Sequence, residues 1–225
     1  MSKISHWTAA VAEDATELRP YRIPPHVGLE NCAPFDGLKL KWNTSAEVGI
    51  ALPLPSEEAL TDFYANRYRL VMKKAHSFDA YFSSPNYRAQ ARSQVSWLAP
   101  LLEQRGKWLD VGAGFGLLLW QVSEVHPDWS LYAVEPDATA RPHLARRALI
   151  ETDFGAFWKG GAFGGALFDV ISLSHVLEHL RDPWAALVQL RTYLKPSGYL
   201  LIEVPFDDND RLMDPKRESD LPHLW

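Results

Sequence analysis

Two stretches of the chain set reactive residue types at spacings that do chemistry. Residues 174–183 read SHVLEHLRDP, an H-x-x-E-H spacing of His175, Glu178 and His179. On one continuous helix that spacing places two imidazoles on a shared face, where they can hold a zinc ion. Residues 109–116 read LDVGAGFG, with Asp110 ahead of Gly112, Gly114 and Gly116. Glycines at such a turn let a ligand approach the backbone, and a helix start beyond them offers amide donors. The dinucleotide fingerprint is G-x-G-x-x-G; here the third glycine comes one residue early and an acidic residue precedes the first. A third stretch, LYAVE, ends in Glu135, and a carboxylate at such a strand end can accept both hydroxyls of a ribose. Taken singly, each motif also reads as a plain tight turn or a solvated charge. Together they point to a ribose-bearing ligand.

These residues need elements to position them. From residue 107 the chain alternates short apolar runs with helical patterns. KWLDVG (107–112), WSLYAVE (129–135), ALIETD (148–153), LFDVISLS (167–174) and YLLIEVP (199–205) read as strands. Between them FGLLLWQVSEV reads as a helix stopped by Pro127, Asp137 or Thr139 starts another, and Asp182-Pro183 opens PWAALVQLRTYL. Strands this continuously apolar, separated by helices, predict a parallel sheet buried on both faces, a doubly wound α/β domain. Ligands bind such sheets at the carboxyl ends of the strands, where Asp110, Glu135 and His175 fall. The H-x-x-E-H stretch follows the fourth strand at once and a new helix starts at Asp182-Pro183. It therefore reads as a short turn, which excludes the zinc-protease geometry and leaves Glu178 and His179 to hold that turn and cap backbone.

LDVGAGFG, AVEPD, FDVISLSHVLEHLRDP and LKPSGYLLIEVP, in this order, resemble the successive motifs of class I S-adenosylmethionine-dependent methyltransferases over residues 105–205. The resemblance implies a Rossmann-like sheet of order 3-2-1-4-5 and S-adenosyl-L-methionine as cofactor. It implies that Asp110, Gly112, Gly114 and Gly116 cradle the methionine and ribose, that Glu135 holds the ribose hydroxyls, and that Asp153 and Phe154 meet the adenine. His175 would be the base that takes the acceptor's proton, its titration range suiting the task; packing against the cofactor is the alternative for this residue. The HVLEHL stretch is similar to that of enzymes acting on small molecules and glycans, which implies O- or C-methylation of such an acceptor. No N/D-P-P-Y tetrapeptide follows the fourth strand, which speaks against amino-directed nucleic-acid methylation. No metal is assigned. Relatives that bind a divalent ion here carry an acidic residue where this chain has His175, so an ion at His175, Glu178 and His179 stays open. Two other readings stay open as well: an inactive S-adenosylmethionine-binding domain with an assembly or regulatory role, and, against Asp110 and the early third glycine, a nicotinamide-dependent oxidoreductase.

The first 104 residues read as an extension to the domain at 105–225. Prolines at 20, 24, 25, 34, 53 and 55 break up regular structure, leaving KLKWN (39–43) as a short strand. Ser56 caps a helix over 56–68, and a second helix runs through NYRAQARSQVSWLAPLLEQR, with Val95, Leu98, Leu101 and Leu102 at the spacing of one apolar helical face. Phe63, Tyr64, Tyr68, Phe78, Tyr81, Phe82 and Tyr87 form an aromatic set able to cover an acceptor as a lid. After Pro205, a run rich in Asp, Arg and Pro predicts no sixth and seventh strand. The fifth strand is then an edge that the N-terminal region folds over, that a second subunit or another partner covers, or that leaves the protein prone to aggregate. His223 would end in the loop beyond it, near His175, where it could touch the acceptor or a metal, or else be a frayed terminal residue. The chain has 225 residues, 47% of them hydrophobic, and a net charge of −5 without a basic stripe, which argues against duplex nucleic acid. A single cysteine, Cys32, excludes an internal disulfide. With no signal-like N-terminus and no apolar run of membrane-spanning length, the expected location is cytoplasmic.

Overall fold

A computed structural model describes residues 4–23, 32–71, 77–151, 157–205, 214, 220 and 223–225. Its contacts divide the chain into two compact units: residues 1–71, 175–187 and 204–225, and residues 72–174 and 188–203. The sequence drew its boundary at residue 105. The contacts draw it at 71/72 instead, and return the turn after the fourth strand and the C-terminal residues to the N-terminal unit.

The second unit carries the parallel sheet. Its strands are β4 (Lys107–Val111), β5 (Ser130–Val134), β6 (Leu149–Glu151), β7 (Phe168–Ser174) and β8 (Leu194–Glu203), in the order β6-β5-β4-β7-β8. This is the expected 3-2-1-4-5 order, and every pair is parallel. In β8 the ladder pairs Leu194 with Phe168, shifts, and resumes with Tyr199 opposite Val170, so the working strand begins where the sequence placed it. Helices α4 (Phe78–Ser83), α5 (Pro85–Leu98), α6 (Leu117–Val125) and α7 (Arg141–Leu144) belong to this unit. A core of Val95, Trp108, Phe115, Leu119, Val122, Ala133 and Val170, among others, lies between α5, α6 and the sheet. Helix α5 stops at Leu98, a 3-10 turn over Ala99–Leu101 follows, and Leu101 is exposed. Pro100 supplies no amide donor and ends the α-helical pattern, so Leu101 faces outward, contrary to expectation.

The first unit has its own sheet, antiparallel, of order β1-β2-β3: β1 (Thr16–Pro20), β2 (Lys39–Asn43) and β3 (Val48–Leu52). Only β2 was legible among the prolines. Pro20 ends β1 and Pro53 follows β3, so both sit at strand limits, where a missing amide costs little. The Asn43 side chain accepts from Ala46 N at 2.8 Å and shapes the β2–β3 turn. Helix α1 (His6–Glu13) is capped by Ser5, whose hydroxyl accepts from Thr8 N. Helix α2 (Glu57–Asp62) is capped by Ser56, as expected, and runs through a π-helical turn into α3 (Tyr68–Val71). Tyr21, Phe35, Leu38, Leu60, Phe63 and Leu224 pack together as this unit's core. The division passes through helix α8 (Pro183–Tyr193). Among the described residues no strand follows Glu203, and none of the helices is long and apolar enough to cross a membrane.

Candidate active site

The glycine turn leaves β4 at Val111. Gly112, Gly114 and Gly116 have φ of 73°, 53° and 82°, the left-handed region where a side chain is strained. Gly112 N and Ala113 N both donate to Val134 O, at 2.7 and 3.3 Å, and Gly116 N closes on Ala113 O at 2.8 Å. The turn is thus tied to the end of β5. At Gly116 a Cβ would come within 2.6 Å of Leu144 Cδ2, so this third glycine serves close packing of the turn against α7.

Glu135, one residue beyond β5, is buried and bridges the turn. One carboxylate oxygen accepts from Gly114 N at 2.6 Å, and the other from Asp137 N at 2.8 Å. Asp137 in turn accepts from the amide and hydroxyl of Thr139. Asp110 lies buried in β4 at the end of a polar chain: Trp108 Nε1 donates to Ser172 Oγ at 2.8 Å, and Ser172 Oγ donates to Asp110 at 2.7 Å. Burial pushes the Asp110 carboxyl up to about 7; Ser172 opposes the shift and the charge of Glu135 adds to it. The sequence reading missed Ser172. Its only signal was one hydroxyl within the apolar run FDVISLS.

Two further residues of this unit were missed. Gln94 donates to Ser174 Oγ at 2.8 Å and to Glu203 at 2.6 Å, and Gln90 donates to the other Glu203 oxygen at 2.5 Å. The pair ties α5 to the carboxyl ends of β7 and β8, through contacts that span up to 113 residues. The aromatic set divides. Phe78 and Tyr81 of α4 pack on Phe115 in the glycine turn, Phe78 stacks on His143 at 4.0 Å, and Phe82 meets Trp120. Phe63, Tyr64 and Tyr68 instead pack with one another and with Phe35 in the other unit. Asp153 and Phe154, the expected adenine contacts, lie outside the described residues.

His175 follows Ser174 directly and belongs to the other unit. Its φ is 54°, rare for a residue with a side chain. Leu177–His179 form one 3-10 turn, so His175 and His179 share no continuous helix. Glu178 does not cap backbone as expected. It is buried, and neither carboxylate oxygen accepts a hydrogen bond. His175 Nδ1 stands 3.6 Å and His179 Nε2 3.7 Å from its Oε1. Burial alone would raise its pKa, but His175, His179, its own backbone and His223 together hold it below the ordinary carboxylate value.

A family model described as a methyltransferase domain matches residues 84–224. The chain belongs to that family. The methyltransferase domain is similar to an uncharacterized methyltransferase of Schizosaccharomyces pombe, 25% identical over 138 residues, covering 56% of this chain and 49% of the relative. It is also similar to a ubiquinone biosynthesis O-methyltransferase of Cereibacter sphaeroides, 33% identical over 109 residues, covering 46% of this chain and 42% of the relative. The chain therefore spans about half the length, or less, of these curated relatives. Among solved structures, the plantazolicin methyltransferase BpumL with a desmethyl analog and SAH matches at TM-score 0.47 and 21% identity, covering 58% of this chain and 51% of that one. The glycopeptide N-methyltransferase MtfA with S-adenosylmethionine matches at TM-score 0.41 and 21% identity, covering 51% and 53%.

Proposed function

We propose that the chain binds S-adenosylmethionine with Asp110, Gly112, Gly114, Gly116 and Glu135 and carries its methyl group to a small-molecule or glycan acceptor, on oxygen or carbon. One observation carries the reading. Glu135 is a buried carboxylate one residue beyond β5, held against the glycine turn by the amides of Gly114 and Asp137, where an acidic residue can meet the hydroxyls of a ribose. The chain's residues fit the cofactor in two further ways. The turn has no Cβ at Gly112 and Gly114, where the backbone is left-handed. The carboxylate of Glu135 supplies negative charge beside a ligand that carries a sulfonium and an ammonium, and such a cationic ligand would favour the ionised form of Asp110, whose pKa burial pushes up to about 7. Asp153 and Phe154 remain the proposed adenine contacts.

When bound, the cofactor supplies a methyl group already activated for in-line displacement. What remains for the protein is to align the acceptor and take its proton. His175 is the proposed base. Its strained backbone and the Glu178 carboxylate 3.6 Å from Nδ1 support that role. Phe78, Tyr81 and Phe82, seated on Phe115 and Trp120, are proposed to wall the turn, and the name of the Cereibacter sphaeroides relative supports oxygen as the methylated atom.

The test is acceptor-dependent release of S-adenosylhomocysteine, read by mass spectrometry over panels of hydroxylated small molecules and glycans. Release that rises with an acceptor and falls at least tenfold in His175→Ala supports the reading. Tight cofactor binding with no release over every panel favours the alternative, an inactive binding domain with an assembly or regulatory role.

A further inference from the structure

We infer that Glu178, His179 and His223 form a binding site for a divalent transition-metal ion, zinc foremost, which fastens the C-terminal residues to the turn after β7. The inference does not rest on the methyl-transfer reading. One ligand atom from each of the three side chains lies within 4.8 Å of the other two. Zinc ligands stand about 2.0–2.1 Å from the ion, so tetrahedral neighbours are roughly 3.4 Å apart; small side-chain rotations close the set. The second observation is the state of Glu178. Its side chain is 4% exposed, and neither carboxylate oxygen accepts a hydrogen bond. A buried carboxylate in that condition is costly unless a cation meets it. Three imidazoles stand near it: His179 Nε2 at 3.7 Å, His175 Nδ1 at 3.6 Å, and the ring of His223, centred 5.0 Å from that of His179. Tyr64, packed on His179, also lies within reach of its charge. Two neutral imidazoles and a carboxylate are a donor set that suits zinc and leave a fourth position for water.

His223, which the sequence reading placed near this turn, is brought in by backbone. Leu224 N donates to Glu178 O at 2.8 Å, Ala51 N donates to Leu224 O at 2.8 Å, and the Tyr21 hydroxyl donates to His223 O at 2.5 Å. Trp225 Nε1 adds a bond to Leu180 O at 2.9 Å. Residues 223–225 thus lie between β3 and the turn, and an ion would add a tie through side chains. His175, 46% exposed at its side chain, stays outside the set and faces Glu178 from its own side.

The test is zinc titration of metal-free full-length protein, read by calorimetry and by melting temperature, with cobalt as a spectroscopic probe. Expected are one ion per chain, a raised melting temperature that chelator reverses, and a cobalt spectrum of low coordination number. Glu178→Gln and His223→Ala should each weaken zinc binding at least tenfold, while His6→Ala, at an exposed position of α1, changes nothing. Glu178→Gln keeps the side chain's size, and circular dichroism checks that both variants fold. No zinc bound to the wild type overturns the inference, as does equal affinity in wild type, Glu178→Gln and His223→Ala. Titration of S-adenosylmethionine into the same samples reads the methyl-transfer site separately, so failure of one leaves the other standing.

Discussion

At the scale of single residues, the polar chain ending in Asp110 has a consequence for pH. Its folded pKa, pushed up to about 7 by burial, lies above the ordinary value near 3.8. The group's contribution is therefore fully present below about pH 4 and is lost as pH rises through about 7. We expect the ligand-free protein to lose stability over that range relative to Asp110→Asn, which cannot ionise. Melting curves of the two proteins from about pH 4 to pH 8 check this; a constant difference between them contradicts the shift. Site legibility varied residue by residue. Asp110, Glu135 and the glycines end strands or open helices, so type and position announce them. Gln94 and Ser172 carry no such mark. Each is one polar residue within an element, and only the packing of α5 and β7 gives it a partner. His223 meets His179 across 44 residues of chain; the sequence placed it near this turn by the family's motif order, not by any local pattern.

Elements were the most legible scale, because local chemistry sets their limits. Ser56 and Asp182 cap α2 and α8 as read. Asp182 accepts from Ala185 N at 3.0 Å, and also from the hydroxyls of Ser5 and Thr8, each at 2.8 Å. Asp182→Ala therefore removes a helix cap and an anchor for α1 together. We expect a loss of at least about 1 kcal/mol in denaturant unfolding; a wild-type midpoint would contradict the anchor. Gly116→Ala meets two obstacles, a φ of 82° and the Leu144 side chain at 2.6 Å. It should cost about 1–2 kcal/mol for the backbone alone, read as a lowered melting temperature. Unchanged melting would mean that the turn adopts another conformation. The elements that were missed share a cause. Strands β1 and β3 lie between prolines, and they form because β2 pairs with both. Pairing across a sheet is a tertiary fact that proline counting does not see.

For the whole molecule, the parallel sheet followed from apolar strands and its order from a resemblance, and both match the structure strand for strand. The division into units did not follow. The chain leaves the parallel-sheet unit after Ser174 and re-enters it at Val188, a path fixed by long-range contacts such as those of Asp182 and Leu224. The account's central claim is that the buried carboxylate at the end of β5 and the glycine turn it bridges hold S-adenosylmethionine. The most direct measurement is calorimetric titration of S-adenosylmethionine and of NAD into wild type and Glu135→Ala. The account predicts one S-adenosylmethionine per chain, no heat from NAD, and binding weakened by about 1–3 kcal/mol in the variant through loss of charge-assisted hydrogen bonds. An unchanged dissociation constant in a folded Glu135→Ala protein, or a preference for NAD, would contradict it.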